Sequence, residues 1–129
     1  MSLVKHWKST AWTVIILLAT TLPSSSIPKT SLLNIPHFDK IVHFVLFFVL
    51  AILLISEFNT LRKEGELTRM SAVIALAVSV VYGLIIELLQ LYFLTTRSGS
   101  LYDFAANVMG AIVAVLLYKT INRISAKRL

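Results

Sequence analysis

The chain has 129 residues, 57% hydrophobic and only 14% charged, with a mean hydropathy of +0.85, where soluble domains carry roughly a quarter charged residues; an ordinary water-soluble globule is excluded. It has no cysteine, which removes disulfides, thiol nucleophiles and cysteine metal ligands from consideration. Its net charge of +6 has no basic helix face interleaved with aromatics behind it, so it fits membrane topology and anionic headgroups, not a nucleic-acid partner.

Taken in order, the chain opens on a short lead with Lys5 and Lys8. An apolar run over 11–22 follows and stops at Pro23 and three serines. Such a run is shorter than the ~20 residues of a spanning helix, and the pattern also describes a secretory leader. Counted over 3–22 it reaches spanning length, with Trp7 and Trp12 at interfacial positions and the lysines snorkelling, so it reads as a retained first helix. Residues 23–38 carry Pro23, Pro28 and Pro36, a linker too proline-broken for helix. A second helix is expected over 39–56, with Asp39 as N-cap. Residues 57–69, with Arg62, Lys63, Glu64, Glu66 and Arg69, read as a solvent loop. Helices over 70–94 and 101–118 complete the chain, ahead of a tail with Lys119, Arg123, Lys127 and Arg128. The expected fold is all-α: a single-domain polytopic membrane protein, a four-helix transmembrane bundle.

Of the twelve lysines and arginines, nine fall in the lead, the 57–69 loop and the tail, and three (Lys29, Lys40, Arg97) on the other side. That asymmetry places both termini in the cytoplasm. On this topology Asp39, Lys40 and His43 open the second helix at the outer leaflet. Glu87 and Gln90 approach the outer end of the third, and Arg97, Asp103 and Asn107 lie in the outer turn and the first turns of the fourth. The inner half is expected to hold almost no buried polar residue.

Spacing turns these groups toward one another. Ala75, Ser79, Gly83 and Glu87 recur at four-residue steps. Asp103, Asn107, Gly110 or Ala111, and Ala114 form a similar stripe, as do Asp39, His43, Phe47 and Leu50 or Ala51. Small residues let helices approach closely, and polar groups left facing lipid would be unpaired, so the three stripes should face inward.

The ordered set Asp39-Lys40-x-x-His43-Phe44, Glu87-x-x-Gln90, Arg97-Ser98-Gly99 and Asp103-x-x-x-Asn107-x-x-Gly110 resembles the VanZ-like family of small bacterial membrane proteins, over about residues 39–115. Ser100 stands where many members carry an acidic residue, and Ala114 replaces a frequent second glycine. The resemblance implies a multi-pass cell-envelope protein of the cytoplasmic membrane, whose namesake is associated with low-level resistance to the glycopeptide teicoplanin. It implies no known reaction.

Plain structural roles compete at each position. His43 one turn after Asp39 fits a helix-start hydrogen bond, Glu87 with Gln90 an interhelical clamp, and Ser100-x-x-Asp103 a capping box. His43, Glu87 and Asp103 are types that ligate divalent metals, but no HExxH-like spacing supports it, and neither metal nor cofactor is assigned. Three classes remain. In the first, Asp39, Lys40, His43, Glu87, Gln90, Arg97, Ser98, Asp103 and Asn107 line a ligand site, with Arg97 and the start of helix four attracting an anion. Its partners would be membrane lipids, a lipid-linked envelope precursor or a glycopeptide. In the second, His43 is the general base of a lipid-modifying enzyme, with Glu87 or Asp103 orienting it. In the third, the polar groups only fix the fold of a modulatory protein.

Overall fold

Long runs of Leu, Ile, Val and Ala, free of proline, fold into four helices in the computed structural model: α1 (Trp7–Thr21), α2 (Phe38–Leu61), α3 (Arg69–Phe93) and α4 (Leu101–Arg128). The structure describes residues 7–21, 38–61, 69–93 and 101–128, and these are all helical. A helix is the form in which such a run satisfies its own backbone without water. Lys40–Asn59, Arg69–Tyr92 and Leu101–Tyr118 are long and apolar enough to cross a membrane. Helix α1, with 15 residues, covers about 22 Å at 1.5 Å per residue, short of a full crossing.

Two helices outrun the lengths read from the sequence. Helix α2 continues past residue 56 to Leu61, and α4 continues past Tyr118 through the basic tail to Arg128. Charge and polarity end an apolar run but do not break a helix; only glycine, proline or a competing side chain does that, and neither extension contains Gly or Pro.

The contacts define an up-and-down arrangement. Lys40 meets Asp103 and His43 meets Asn107, at separations of 63 and 64 residues, so α2 and α4 run parallel in a fixed register. Gly110 sits where they cross: a Cβ built there would land on the Phe44 carbonyl oxygen and stand 3.1 Å from the Phe48 nitrogen. Helix α3 runs the other way, with Glu87 against His43 near the start of α2 and Ala75 clustered with Ile55 and Tyr118 toward its end. Helix α1 lies alongside α3 in the same direction, since Tyr82 donates to the Thr13 carbonyl at 2.6 Å and Gln90 to the Thr20 carbonyl at 2.7 Å.

The spaced stripes are the buried faces: Ala75, Ser79 and Gly83 on α3, Phe47, Leu50 and Ala51 on α2, and Gly110, Ala111 and Ala114 on α4. Opposite them, Val73, Val81, Leu84, Ile85, Leu88 and Leu91 of α3 are exposed, an apolar surface suited to lipid and too extensive for water.

One expectation is overturned. The end of the bundle where α2 finishes holds Ser9, Glu57, Asn59 and Ser71, all buried. Glu57 belongs to α2, not to a solvent loop, and its carboxylate accepts from the Ser9 amide at 3.0 Å and the Ser9 hydroxyl at 2.6 Å. The physical reason is that the first turn of α1 presents backbone N–H groups with no partner inside their own helix, and a carboxylate from α2 caps them. Trp12 is likewise drawn inward: its indole N–H donates to the Leu46 carbonyl at 2.8 Å.

Candidate functional site

Three helices bring their polar residues together near the starts of α2 and α4. On α2, Lys40 and His43 are three apart; on α4, Asp103 and Asn107 are four apart; each pair therefore shares one helical face, and the parallel register lays one pair against the other. Helix α3 supplies Glu87 from the opposite direction. His43 is 3% exposed, Glu87 7%, Asp103 5% and Asn107 1%, so the group is enclosed by protein on all sides. Only the Lys40 side chain, 29% exposed, reaches outward.

His43 is the hub. Its Nδ1 lies 2.9 Å from Asn107 Oδ1 and 3.5 Å from Glu87 Oε1. Amide and carboxylate oxygens only accept, so Nδ1 carries the proton and donates to Asn107, with Glu87 at the far edge of that interaction. Nε2 then faces Asp103 Oδ2 at 3.9 Å, beyond hydrogen-bond range. The other oxygen of Asp103 takes Lys40 Nζ at 3.2 Å, which fixes the plane of the carboxylate. Gly83 sets the seat of Asn107: a Cβ there would stand 3.3 Å from both Asn107 Cβ and Nδ2. The small residue on α3 thus lets the amide approach close enough to hold His43.

The residues named from the sequence divide into three groups. Lys40, His43, Glu87, Asp103 and Asn107 are in mutual contact as described. Gln90 is buried but joins α3 to α1 through Thr20, one turn away from that contact group. Arg97 and Ser98 lie outside the described residues, as does Ser100 with its capping box; Asp39 lies in the first turn of α2, but its side chain is not among those described. His43 makes its hydrogen bond across to α4. Sequence reasoning missed the Ser9–Glu57 bond, the Trp12 contact and the Tyr82 anchor on α1. One signal for Glu57 was present: His43, Leu50 and Glu57 recur every seven residues, which continues the inward face of α2 to its end.

Chemically, an imidazole set between two carboxylates can hold a proton, pass one, or bind a cation with their help. One donor atom from each of His43, Glu87 and Asp103 lies within 4.8 Å of the others. The lysine adds one outward cationic group at the rim.

The VanZ/LLP1 family model matches residues 2–122. No curated protein and no solved structure matches the chain.

Proposed function

Since the chain belongs to the VanZ/LLP1 family, we propose that it is a multi-pass protein of the bacterial cytoplasmic membrane that binds an anionic lipid headgroup or another cell-envelope ligand at its outer leaflet. Both termini lie in the cytoplasm in this reading, the apolar stretch 3–22 that contains α1 serves as the fourth crossing, and the polar group of α2, α3 and α4 faces outward. The observation that carries it is the Lys40–Asp103 pair at 3.2 Å, with the lysine partly exposed. A buried carboxylate holds a cation at the rim, next to the start of α4 and close in sequence to Arg97. An anion arriving there meets the Lys40 ammonium and the positive end of the α4 dipole, with Arg97 four residues before α4 in the sequence as a further cation. A phospholipid, a lipid-linked precursor and a teicoplanin-type glycopeptide share that anionic chemistry, and the last would link the protein to glycopeptide resistance.

Binding is read by native mass spectrometry of the detergent-purified chain with phosphatidylglycerol and phosphatidylcholine. The expected result is retention of the anionic lipid, weakened several-fold by Lys40→Gln and by Arg97→Gln with the helical content intact. Equal retention of both lipids, or an Arg97→Gln chain that disappears from the membrane, removes the support for a cationic headgroup contact. Topology is read separately: reporter fusions after Leu67 should score cytoplasmic and fusions near Ser98 external, and an external 57–69 loop would put the polar group on the other face.

A second reading is favoured by the position of His43, whose Nδ1 is held by Asn107 and whose Nε2 faces a carboxylate. That is an oriented base, and as such it would act on a lipid headgroup. His43→Gln or Glu87→Asn should abolish turnover in this reading, whereas in the binding reading each only weakens retention.

A further inference from the structure

We propose that His43, Glu87 and Asp103 form a binding site for a divalent first-row transition cation of the Zn²⁺ or Mn²⁺ class. Asn107 Oδ1 accepts from His43 Nδ1 at 2.9 Å, so in the neutral ring Nε2 carries a lone pair and no proton. Asp103 Oδ2 lies 3.9 Å from that nitrogen. An imidazole nitrogen and a carboxylate oxygen at this spacing are two donor atoms of the kind a divalent cation bridges. A shared proton would draw them to about 2.7–3.2 Å. A metal ion with bonds of about 2.1 Å to each holds them about 3.4 Å apart at a tetrahedral angle and ~4.2 Å apart when they lie on opposite sides of it, and the observed gap falls between these two values.

The surroundings match what metal sites use. An imidazole that ligates through one nitrogen donates its other N–H to an oxygen, which fixes its orientation and raises its basicity; here Asn107 does this from α4. Lys40 takes Oδ1 of Asp103 and leaves Oδ2 turned toward His43. Glu87 enters from α3 as the third donor, its Oε1 3.5 Å from the Nδ1 of the same ring, and one donor atom of each of the three residues lies within 4.8 Å of the others. A pair at the 4.8 Å limit needs a combined side-chain movement of about 1.4 Å to reach the ~3.4 Å of a tetrahedral angle. The donors come from three helices and are each less than a tenth exposed, so the packing of the bundle sets their positions. One imidazole and two carboxylates suit Zn²⁺, Mn²⁺ or Fe²⁺ better than an all-oxygen Ca²⁺ or Mg²⁺ cage. Three protein donors leave the coordination sphere open for water or a phosphate oxygen. The cation site stands whether or not a headgroup binds at the rim.

The test uses the tag-free full chain in detergent, stripped with a chelator and titrated with Co²⁺ and Zn²⁺ in the absence of lipid. One ion per chain is expected, with visible Co²⁺ absorption from an ordered nitrogen–oxygen environment. His43→Gln and Glu87→Gln should each lower the affinity at least tenfold, and Asn107→Ala by roughly tenfold to a hundredfold. Lys40→Gln gives the decisive sign, because removing the ammonium frees Asp103: metal affinity should rise a few-fold while retention of the anionic lipid falls. That opposition separates this site from the headgroup reading, and since the Lys40 side chain is partly exposed the variant does not depend on core repacking. The proposal is overturned if the stripped wild-type chain takes up no stoichiometric ion. It is equally overturned if a helical His43→Gln chain binds as tightly as wild type, or if Lys40→Gln weakens the metal.

Discussion

Gly110→Val should separate α2 from α4 and cost about 3 kcal/mol or more. Overpacking a helix contact costs ~1–3 kcal/mol when side chains can move aside, but here the obstacle is backbone. Any Cβ at 110 meets the Phe44 carbonyl oxygen and the Phe48 nitrogen, and neither can shift without moving α2 as a whole. The parallel register that this crossing fixes also sets Lys40 against Asp103 and His43 against Asn107, so the same substitution should loosen the polar group. Gly83→Ala provides the internal comparison, since its Cβ would stand 3.3 Å from the Asn107 side chain and 3.4 Å from a Phe47 ring carbon. Side-chain atoms yield by tenths of an ångström, and the cost should stay near 1 kcal/mol. Unfolding in mixed micelles followed by circular dichroism orders the two. A Gly110→Val bundle as stable as Gly83→Ala would mean that α2 and α4 do not cross at this point.

The parts of this arrangement that were legible from sequence share one physical feature: a polar or small residue inside an apolar run is conspicuous, because in hydrocarbon it needs a reason. His43, Glu87, Asp103 and Asn107 stood out in that way, and their three- and four-residue steps with Phe47, Gly83 and Gly110 gave the direction in which each helix faces. Glu57 carried the same kind of information but sat at the end of its run. There a charged residue reads as the beginning of a loop unless the seven-residue step from His43 through Leu50 is followed, and the partner helix, whose Ser9 amide it caps, gives the reason. Trp12 was misplaced for a related reason. An indole near a helix start suits an interface, and nothing local to α1 says that a carbonyl of Leu46 on α2 will meet its N–H. Gln90 shows the limit of spacing arguments. It shares a face with Glu87, yet one turn along α3 is enough to change its neighbour from α2 to α1.

The His43–Asn107 bond should behave as a coupled pair in a double-mutant cycle, and the two single variants should differ. Hydrogen bonds between membrane helices average only ~0.6 kcal/mol of coupling, with values near 1.7 kcal/mol at the upper end. Both partners here are almost fully buried, so the coupling belongs toward the upper end, about 1–1.7 kcal/mol. The cost of each single variant is governed by what it strands, because a buried polar group left without its bond loses about 1–3 kcal/mol. His43→Leu strands the Asn107 oxygen, whose amide nitrogen has no hydrogen-bond partner among the described residues, and it takes the imidazole away from Glu87. Asn107→Leu leaves His43 Nδ1 with Glu87 Oε1 at 3.5 Å to turn to. His43→Leu should therefore be the more damaging single change by about 1 kcal/mol, and the double variant should be less destabilised than the sum of the two. Unfolding free energies of the four chains under one set of conditions measure all of this. Additivity within about 0.3 kcal/mol would show that the two side chains are neighbours without being partners, and Asn107 would then have no part in setting the proton on His43.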